Sequence, residues 1–406
     1  MQQSLMPSGP PLPARVYQLG WISFFADVSS EMAYPVLPLF LKNTLGAPLA
    51  AIGLVEGIAE GLVSVMKGWS GWHSDRTGRR VPFVRWGYGL SALGKPMIAL
   101  AHVWPMVLLA RVVDRLGKGL RTTARDALIA DSVERSRLGE AFGLHRAMDT
   151  AGALLGVLVA AGLLAVLPDQ YRLIFLLAAI PGAVSVAFAL ALKEPRAPDR
   201  DQESERPLHS GLEGVQAEGP LARPSLRFSK PYWRAVGLAL VFGLGNSSDT
   251  FLLLRAQDLG LSAALAILAY ALYNVSYTLL SRPAGALSDR IGRWRVMGVG
   301  WLLYAGVYLG FAWFGTGAVW PLFVLYGAYM GLTQGVGKAL VAQHAPDDRR
   351  GTALGLFYTC TGGVTVLSSV IAGLLWDHVS PSAPFLFGAA CALVAAAGIP
   401  LTRKLC

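Results

Sequence analysis

The chain has 406 residues, of which 54% are hydrophobic and only 15% charged, with a mean hydropathy of +0.48 and a formal net charge of +10. Soluble domains carry about 25% charged residues, so this composition excludes a disordered chain, a collagen-like repeat, a disulfide scaffold and an ordinary soluble enzyme of two or three domains. A polytopic helical membrane protein remains, and the basic surplus reads as loop charge on one side of a bilayer rather than as a nucleic-acid surface.

The first 15 residues hold no basic region followed by an apolar run, so the first apolar segment is expected to be a retained span rather than a cleaved leader. Twelve stretches are then long and apolar enough to cross a bilayer, which takes about 20 residues. They run over about 16–41, 48–70, 83–103, 105–129, 139–166, 172–192, 233–256, 262–284, 295–315, 319–341, 351–376 and 383–402. The fold class expected is an all-α integral membrane protein. Residues 193–231, rich in Pro, Gly, Glu, Ser and Arg, cannot bury a core and read as a linker. The chain divides into a tail (1–15), a six-helix lobe (16–192), the linker (193–231), a second six-helix lobe (232–402) and a short tail (403–406).

Most Lys and Arg fall in the loops after spans 2, 4, 8 and 10, in the linker and at the termini, against Lys42, Arg172 and Arg255 on the other side. Basic loops stay inside, so both termini and the linker are expected in the cytoplasm and the protein in a bacterial inner membrane. The halves also repeat. GWHSDRTGRR at 71–80 matches GALSDRIGRWR at 285–295, both after the second span of their half, and LGEAFGL at 138–144 echoes RGTALGL at 350–356, both opening the fifth. Repeats in corresponding places point to a duplicated transporter fold with a site between the halves.

Gly71-Trp72-His73-Ser74-Asp75-Arg76-Thr77-Gly78-Arg79-Arg80 resembles the loop signature G-x-x-x-D-R/K-x-G-R/K-R/K of the major facilitator superfamily, and Gly285 to Arg293 is its weaker second copy. Pro35-Val36-Leu37-Pro38 is similar to the P-V-x-P that ends the first span of many twelve-span drug:proton antiporters. Arg111 falls where that group carries its fourth-span arginine, with Asp114 and Arg115 in place of the usual Gln-Gly. Gly143, Gly152 and Gly156 match the spacing of the antiporter motif, although Val157 stands for its Pro and Ala160-Ala161 for its Gly-Gly. The resemblance implies two pseudo-symmetric six-helix lobes that rock around a central cavity, giving alternating access, in a monomer.

Gly78 permits a tight turn, and an aspartate at position 75 can cap a neighbouring helix and pair with an arginine across the lobe interface. Gly71, Asp75, Arg76, Gly78 and Arg79, with Asp289 and Arg290 in the second copy, are therefore expected to form a conformational latch. For Arg79, Arg80 and Arg295 the simpler reading is that they anchor topology.

Charges inside spans are costly in lipid and must face protein or a water-filled cavity. Asp27 and Glu31 lie four apart on one face of span 1, Glu56 and Glu60 likewise on span 2, and span 5 carries Arg146 and Asp149. Span 4 holds Arg111, Asp114, Arg115, Lys118, Arg121, Arg125 and Asp126, a charged stripe along one face. One reading makes these internal ion pairs, such as Asp114 with Arg146. The other makes Asp27, Glu31, Asp149 and Glu60 proton carriers, with Arg111 and Asp114 beside the substrate. The second half is aromatic instead. Tyr270, Tyr273, Asn274 and Tyr277 form one face of span 8, and with Asn246 and Tyr358 they are candidate substrate contacts; the alternative is a packing stripe.

Other chemistry is missing from the sequence. Cys360, Cys391 and Cys406 form no CxxC, the six His are scattered, and no P-loop, H-E-x-x-H or G-x-S-x-G occurs. The expectation is a secondary transporter in a lipid bilayer, not an enzyme, with no cofactor, no metal and no nucleic-acid partner, moving a small molecule with protons. Export of drugs or metabolites is one direction. Proton-coupled movement of an anionic or zwitterionic metabolite or chelator, favoured by the cations of span 4, is the alternative, and a non-transporting receptor is a third.

Overall fold

A computed structural model of the chain describes residues 10–167, 169–194 and 228–403, without the side chains of 49–61, 263, 264, 267 and 401–403. The linker between 195 and 227 lies outside the described residues.

The described residues fold into helices with no strand among them. The first six are α1 (Ala14–Ala33), α2 (Leu49–Thr77), α3 (Val81–Ala99), α4 (Trp104–Asp131), α5 (Leu138–Val166) and α6 (Tyr171–Leu190). The second six are α7, in two pieces (Lys230–Gly245 and Thr250–Asp258), α8 (Ala263–Ile291), α9 (Arg293–Trp313), α10 (Val319–His344), α11 (Arg350–His378) and α12 (Ala383–Arg403). These are twelve membrane helices in two six-helix lobes related by the internal repeat. Large apolar side chains such as Leu109, Val166, Leu279, Trp313 and Val394 stay exposed; a bilayer accepts such a surface and water does not.

Among the described residues, six of the helices are apolar and long enough to span by themselves. Others rely on partners: α4 is a good membrane helix only because Arg111, Asp114, Arg115, Arg121, Arg125 and Asp126 are all buried in protein.

Two expectations need correction. The 71–80 and 285–295 motifs are mostly helix rather than loop. Helices α2 and α8 continue to Thr77 and Ile291, and the chain turns only at Gly78 (φ 63°) and Gly292 (φ 100°), where a side chain would be strained. A 29-residue helix is about 44 Å long, well beyond the ~30 Å hydrocarbon layer, so both motifs project beyond it. Span 7 is also not continuous. It breaks at 246–249, where Asn246, Ser247, Ser248 and Asp249 offer four consecutive side chains that compete for backbone groups. The loose ends are satisfied from elsewhere in the lobe: the Tyr304 hydroxyl donates to the Gly245 carbonyl (2.7 Å), and Ser369 Oγ accepts from the Ser248 amide (3.2 Å).

The lobes meet through equivalent helices. α2 packs on α11 and α5 on α8, and all four are 29 residues long. Each crossing is tight because glycine faces glycine. A Cβ on Gly71 would sit 2.2 Å from the Gly351 carbonyl oxygen, and one on Gly285 would sit 2.0 Å from that of Gly139. Within the first lobe, Gly152 and Gly156 do the same for α5 against α1, where a Cβ would meet the Phe24 and Val28 carbonyls at 2.3 and 2.6 Å.

Candidate functional site

Between the lobes lies a cavity of ≈ 440 Å³. The first lobe contributes Asp27 and Glu31 from α1, Lys118, Arg121 and Arg125 from α4, and Arg146 and Asp149 from α5. The second contributes Asp249 at the α7 break, Tyr270, Tyr273, Asn274 and Tyr277 from α8, Gln334 and Lys338 from α10, and Tyr358 from α11. With Lys67 of α2, basic side chains outnumber acidic ones on this wall.

The acids of the wall form a connected unit. Asp27 and Asp149 line the same wall as electrostatic neighbours, and two interacting carboxyl groups take up and release protons as a pair. Arg146 Nη1 holds Asp149 Oδ2 at 2.7 Å, while its Nε donates to the Tyr277 hydroxyl and its guanidinium lies 5.0 Å over the Tyr277 ring. One cation thus ties the carboxyl pair of the first lobe to an aromatic of the second. Glu31, one turn from Asp27, lines the same wall. Asp249 accepts from the Tyr326 hydroxyl at 2.7 Å.

The charged stripe of α4 divides in two. Arg111, Asp114 and Arg115 do not line the cavity. They sit inside the first lobe, where Lys95 of α3 holds Asp114 at 2.9 Å, with Arg111 at 3.4 Å and Arg115 at 3.8 Å. The reading of Arg111 and Asp114 as substrate contacts is corrected accordingly, because heptad spacing puts 111 and 118 on one face but not at one depth. The Asp114–Arg146 pair is not formed either; Arg146 pairs with Asp149. Lys118, Arg121 and Arg125, roughly one, two and three turns on, are the residues that reach the cavity. Arg121 lies over the Tyr88 ring (4.1 Å), and its Nε and Nη1 have no hydrogen-bond partner among the described residues.

Beside the cavity is a buried crossing that the sequence reading left as structural. Asp126, fully buried, pairs with Arg125 at 2.9 Å in its own lobe and with Lys338 at 3.2 Å in the other, and accepts a hydrogen bond from Tyr358. The sequence signal for Lys338 is weak, since a lone lysine in an apolar helix predicts a partner without naming it. Asn246 and Tyr358 both line a second crevice set mainly within the second lobe, and Tyr358 also lines the cavity. Glu60 and Glu56 lie on α2, but their side chains fall outside the described residues.

The ends of the helices close the lobes together. Asp75 accepts hydrogen bonds from the Gly351 amide (3.1 Å), the Thr352 amide and the Thr352 hydroxyl (2.8 Å), which cap the start of α11. Asp289 does the same for α5, through the Gly139 (2.9 Å) and Glu140 (2.8 Å) amides. The arginines differ from those expected. Arg80, not Arg76, pairs with Asp75 (3.2 Å) and also reaches Asp131 (3.2 Å). Arg293, not Arg290, pairs with Asp289 (2.6 Å) and donates to the Arg135 carbonyl (2.6 Å). Arg76 is exposed over Trp72, Gly78 and Arg79 are exposed at the turn, and Arg290 lines a basic cleft beside the latch. Further crossings are Arg350 with Asp131 (2.9 Å), Arg282 with Glu140 (3.1 Å) and Arg135 with Asp347 (2.8 Å). The hydrogen bond from Arg135, with Arg350 alongside, holds the Asp347 carboxyl below the usual carboxylate range. The LGEAFGL and RGTALGL echo was the available signal for Gly139 and Gly351: both copies are the segments that the latch aspartates cap.

Comparison with known proteins agrees with this architecture. The family profile described as Major Facilitator Superfamily matches residues 19–255 and 250–404. An uncharacterised MFS-type transporter of Methanocaldococcus jannaschii is 36% identical over 390 residues, 94% of this chain and 93% of its own. Multidrug resistance protein MdtG of Citrobacter koseri is 27% identical over 290 residues, 69% of this chain and 68% of its own. Among solved structures, the human organic anion transporter MFSD10 superposes with a TM-score of 0.76 at 15% identity, covering 96% of this chain and all (100%) of its own. The chain belongs to the major facilitator superfamily: it is a multi-pass membrane transporter and not an enzyme.

Proposed function

We propose that this transporter moves a small organic solute carrying a negative charge, coupled to protons through Asp27 and Asp149. The observation that carries the reading is the chain of contacts from the carboxyl pair through Arg146 to Tyr277 of the opposite lobe. A proton added to the pair weakens the hold of Asp149 on Arg146, and with it a contact between the lobes. The same proton makes a wall already rich in Lys118, Arg121 and Lys338 more positive, so proton and anion favour each other's binding. Co-binding of that kind is symport.

The latch end is the basic end, which supports a cytoplasmic placement for it by the positive-inside rule. The closed latches then describe a protein shut toward the cytoplasm. Solute and proton load from the other side, the Asp75 and Asp289 caps release, and both leave inward. Glu31 and the aromatic face of α8 orient the solute. The carrier acts as a monomer in the cytoplasmic membrane.

A second reading is export of a cationic or neutral drug by proton exchange. It is favoured by the likeness to a multidrug resistance protein and by the aromatic wall of Tyr270, Tyr273 and Tyr277. The two differ in sign. In proteoliposomes, an anionic solute added outside should carry protons in and alkalinise the medium, and Asp149→Asn should abolish that signal. Proton flux driven only by cationic or neutral drugs, in the opposite direction to the drug, would replace the first reading by the second.

A further inference from the structure

Set mainly within the second lobe is a second crevice of ≈ 320 Å³, bounded by α7, α9, α10 and α11, with Lys67 of α2 reaching in from the first lobe. Small-molecule sites begin at about 300 Å³. One wall is apolar, where Phe242 and Trp301 stack with ring centroids 5.4 Å apart beside Met297 and Phe357, and Thr333, Thr361 and Thr365 add hydroxyl-bearing side chains to the rest. It is not isolated, because Lys67, Gln334, Lys338 and Tyr358 line both this crevice and the central cavity.

Two features make it more than a packing gap. Asn246 Oδ1 and the Tyr329 hydroxyl line it, are buried, and have no hydrogen-bond partner among the described residues. Polar atoms buried in that way are costly unless something pairs with them. Asn246 is also the residue at which α7 breaks, and Asp249 at the other end of the same break lines the central cavity. The break therefore presents one polar side chain to each chamber. Finally, Gly337 keeps the wall open: the nearest atom to a Cβ there would be Met297 Cε at 3.9 Å.

We infer that this crevice is a side chamber of the substrate site, holding the aromatic or apolar end of an amphipathic organic anion whose charged group sits at the shared wall by Lys67 and Lys338. The chamber asks for a flat ring of one or two cycles, and a hydroxyl on that ring finds an acceptor in Asn246. The inference rests on the anion reading above and narrows it to aryl or long-chain acids rather than small hydrophilic ones.

The test uses the full chain in nanodiscs and three probes: naphthalene-2-sulfonate, methanesulfonate and 2-naphthalenemethanol. The parent should bind naphthalene-2-sulfonate at least about tenfold more tightly than methanesulfonate. Gly337→Leu, which fills the chamber, should erase that advantage and leave methanesulfonate unchanged, whereas Gly337→Ala should keep it. An advantage that survives Gly337→Leu overturns the chamber. If 2-naphthalenemethanol binds as tightly as the sulfonate and is lost in Gly337→Leu, the chamber stands and the anion reading falls; if no probe binds, both fall. Should Gly337→Leu fail to fold, Asn246→Ala decides. The gain of 6-hydroxynaphthalene-2-sulfonate over naphthalene-2-sulfonate should vanish in that variant, and its persistence overturns the assignment.

Discussion

The two lobes solve one problem in different ways. Each must place polar groups at the centre of a membrane protein. The first does so with charge: Lys95, Arg111, Asp114, Arg115, Arg121, Arg125, Asp126 and Asp149 are all buried there. The second does so with hydroxyls on rings: Tyr273, Tyr277, Tyr304, Tyr308, Tyr326 and Tyr329 form its core with Trp301 and Phe311. Yet at the latch the lobes are copies, with Asp75 capping α11 and Asp289 capping α5 in the same manner. Duplication has kept the helix-end contacts symmetric while the cavity has become asymmetric, which supports the proposal that the former serve the conformational cycle and the latter the chemistry.

That comparison breaks first at the carboxyl pair. One unit of pH difference supports about tenfold accumulation for one coupled proton. Asp149→Asn should accumulate nothing under that gradient, while still exchanging solute across the membrane without it. Loss of exchange as well would make Asp149 a structural residue. The next largest effect is at the crossing. Asp126→Asn leaves Lys338 and Arg125 buried without their acid, which costs about 3–5 kcal/mol. Spectroscopic distances between labels on the two lobes should show the latch-closed state depopulated, and Lys338→Met should restore part of it.

Symmetry at the latch is sharpened by a matched pair of variants. Gly71→Val and Gly285→Val each push a side chain into the facing glycine's carbonyl, an overpacking of about 1–3 kcal/mol. Equal shifts toward the open latch are expected, and a large difference would mean one copy dominates. On the aromatic side, Tyr273→Phe should weaken solute affinity by about 0.5–1.5 kcal/mol without changing the number of protons bound; a change in proton number would move coupling into the second lobe.

The smallest effect is at Asp347. Arg135 holds its carboxyl below the usual range, so its contribution is present above the ordinary carboxylate pKa and fades as pH falls through the lowered value. The pair is exposed and screened. Asp347→Asn should therefore leave the pH dependence of latch opening unchanged between about pH 5 and 8, as read by the same labels.

Much of this was legible in the residues. Hydropathy marks twelve spans, and the duplicated S-D-R-x-G-R segments mark the two halves and the two latch aspartates. Asp27 and Asp149 announce themselves as acids that lipid would not tolerate, and the structure brings them together. What periodicity cannot supply is depth and pairing. Arg111 and Lys118 share a face of α4, but Asp114, paired with Lys95 of α3, holds Arg111 inside the lobe, so only Lys118 reaches the cavity. The exchange of Arg76 for Arg80 and of Arg290 for Arg293 has the same origin: α2 and α8 run on as helices, and only an arginine after the turn points back at the aspartate. The break in α7 hid because the longer stretch that contains it, Lys230–Asp258, is still apolar enough on average to read as a span.

The most direct measurement is the number of protons exchanged when an organic anion binds, obtained by calorimetry in buffers of different ionisation enthalpy. The account predicts uptake of about one proton per anion, with tighter binding as pH falls, and none in Asp27→Asn. Binding with no proton exchanged, or with a proton released, in the parent protein would contradict it.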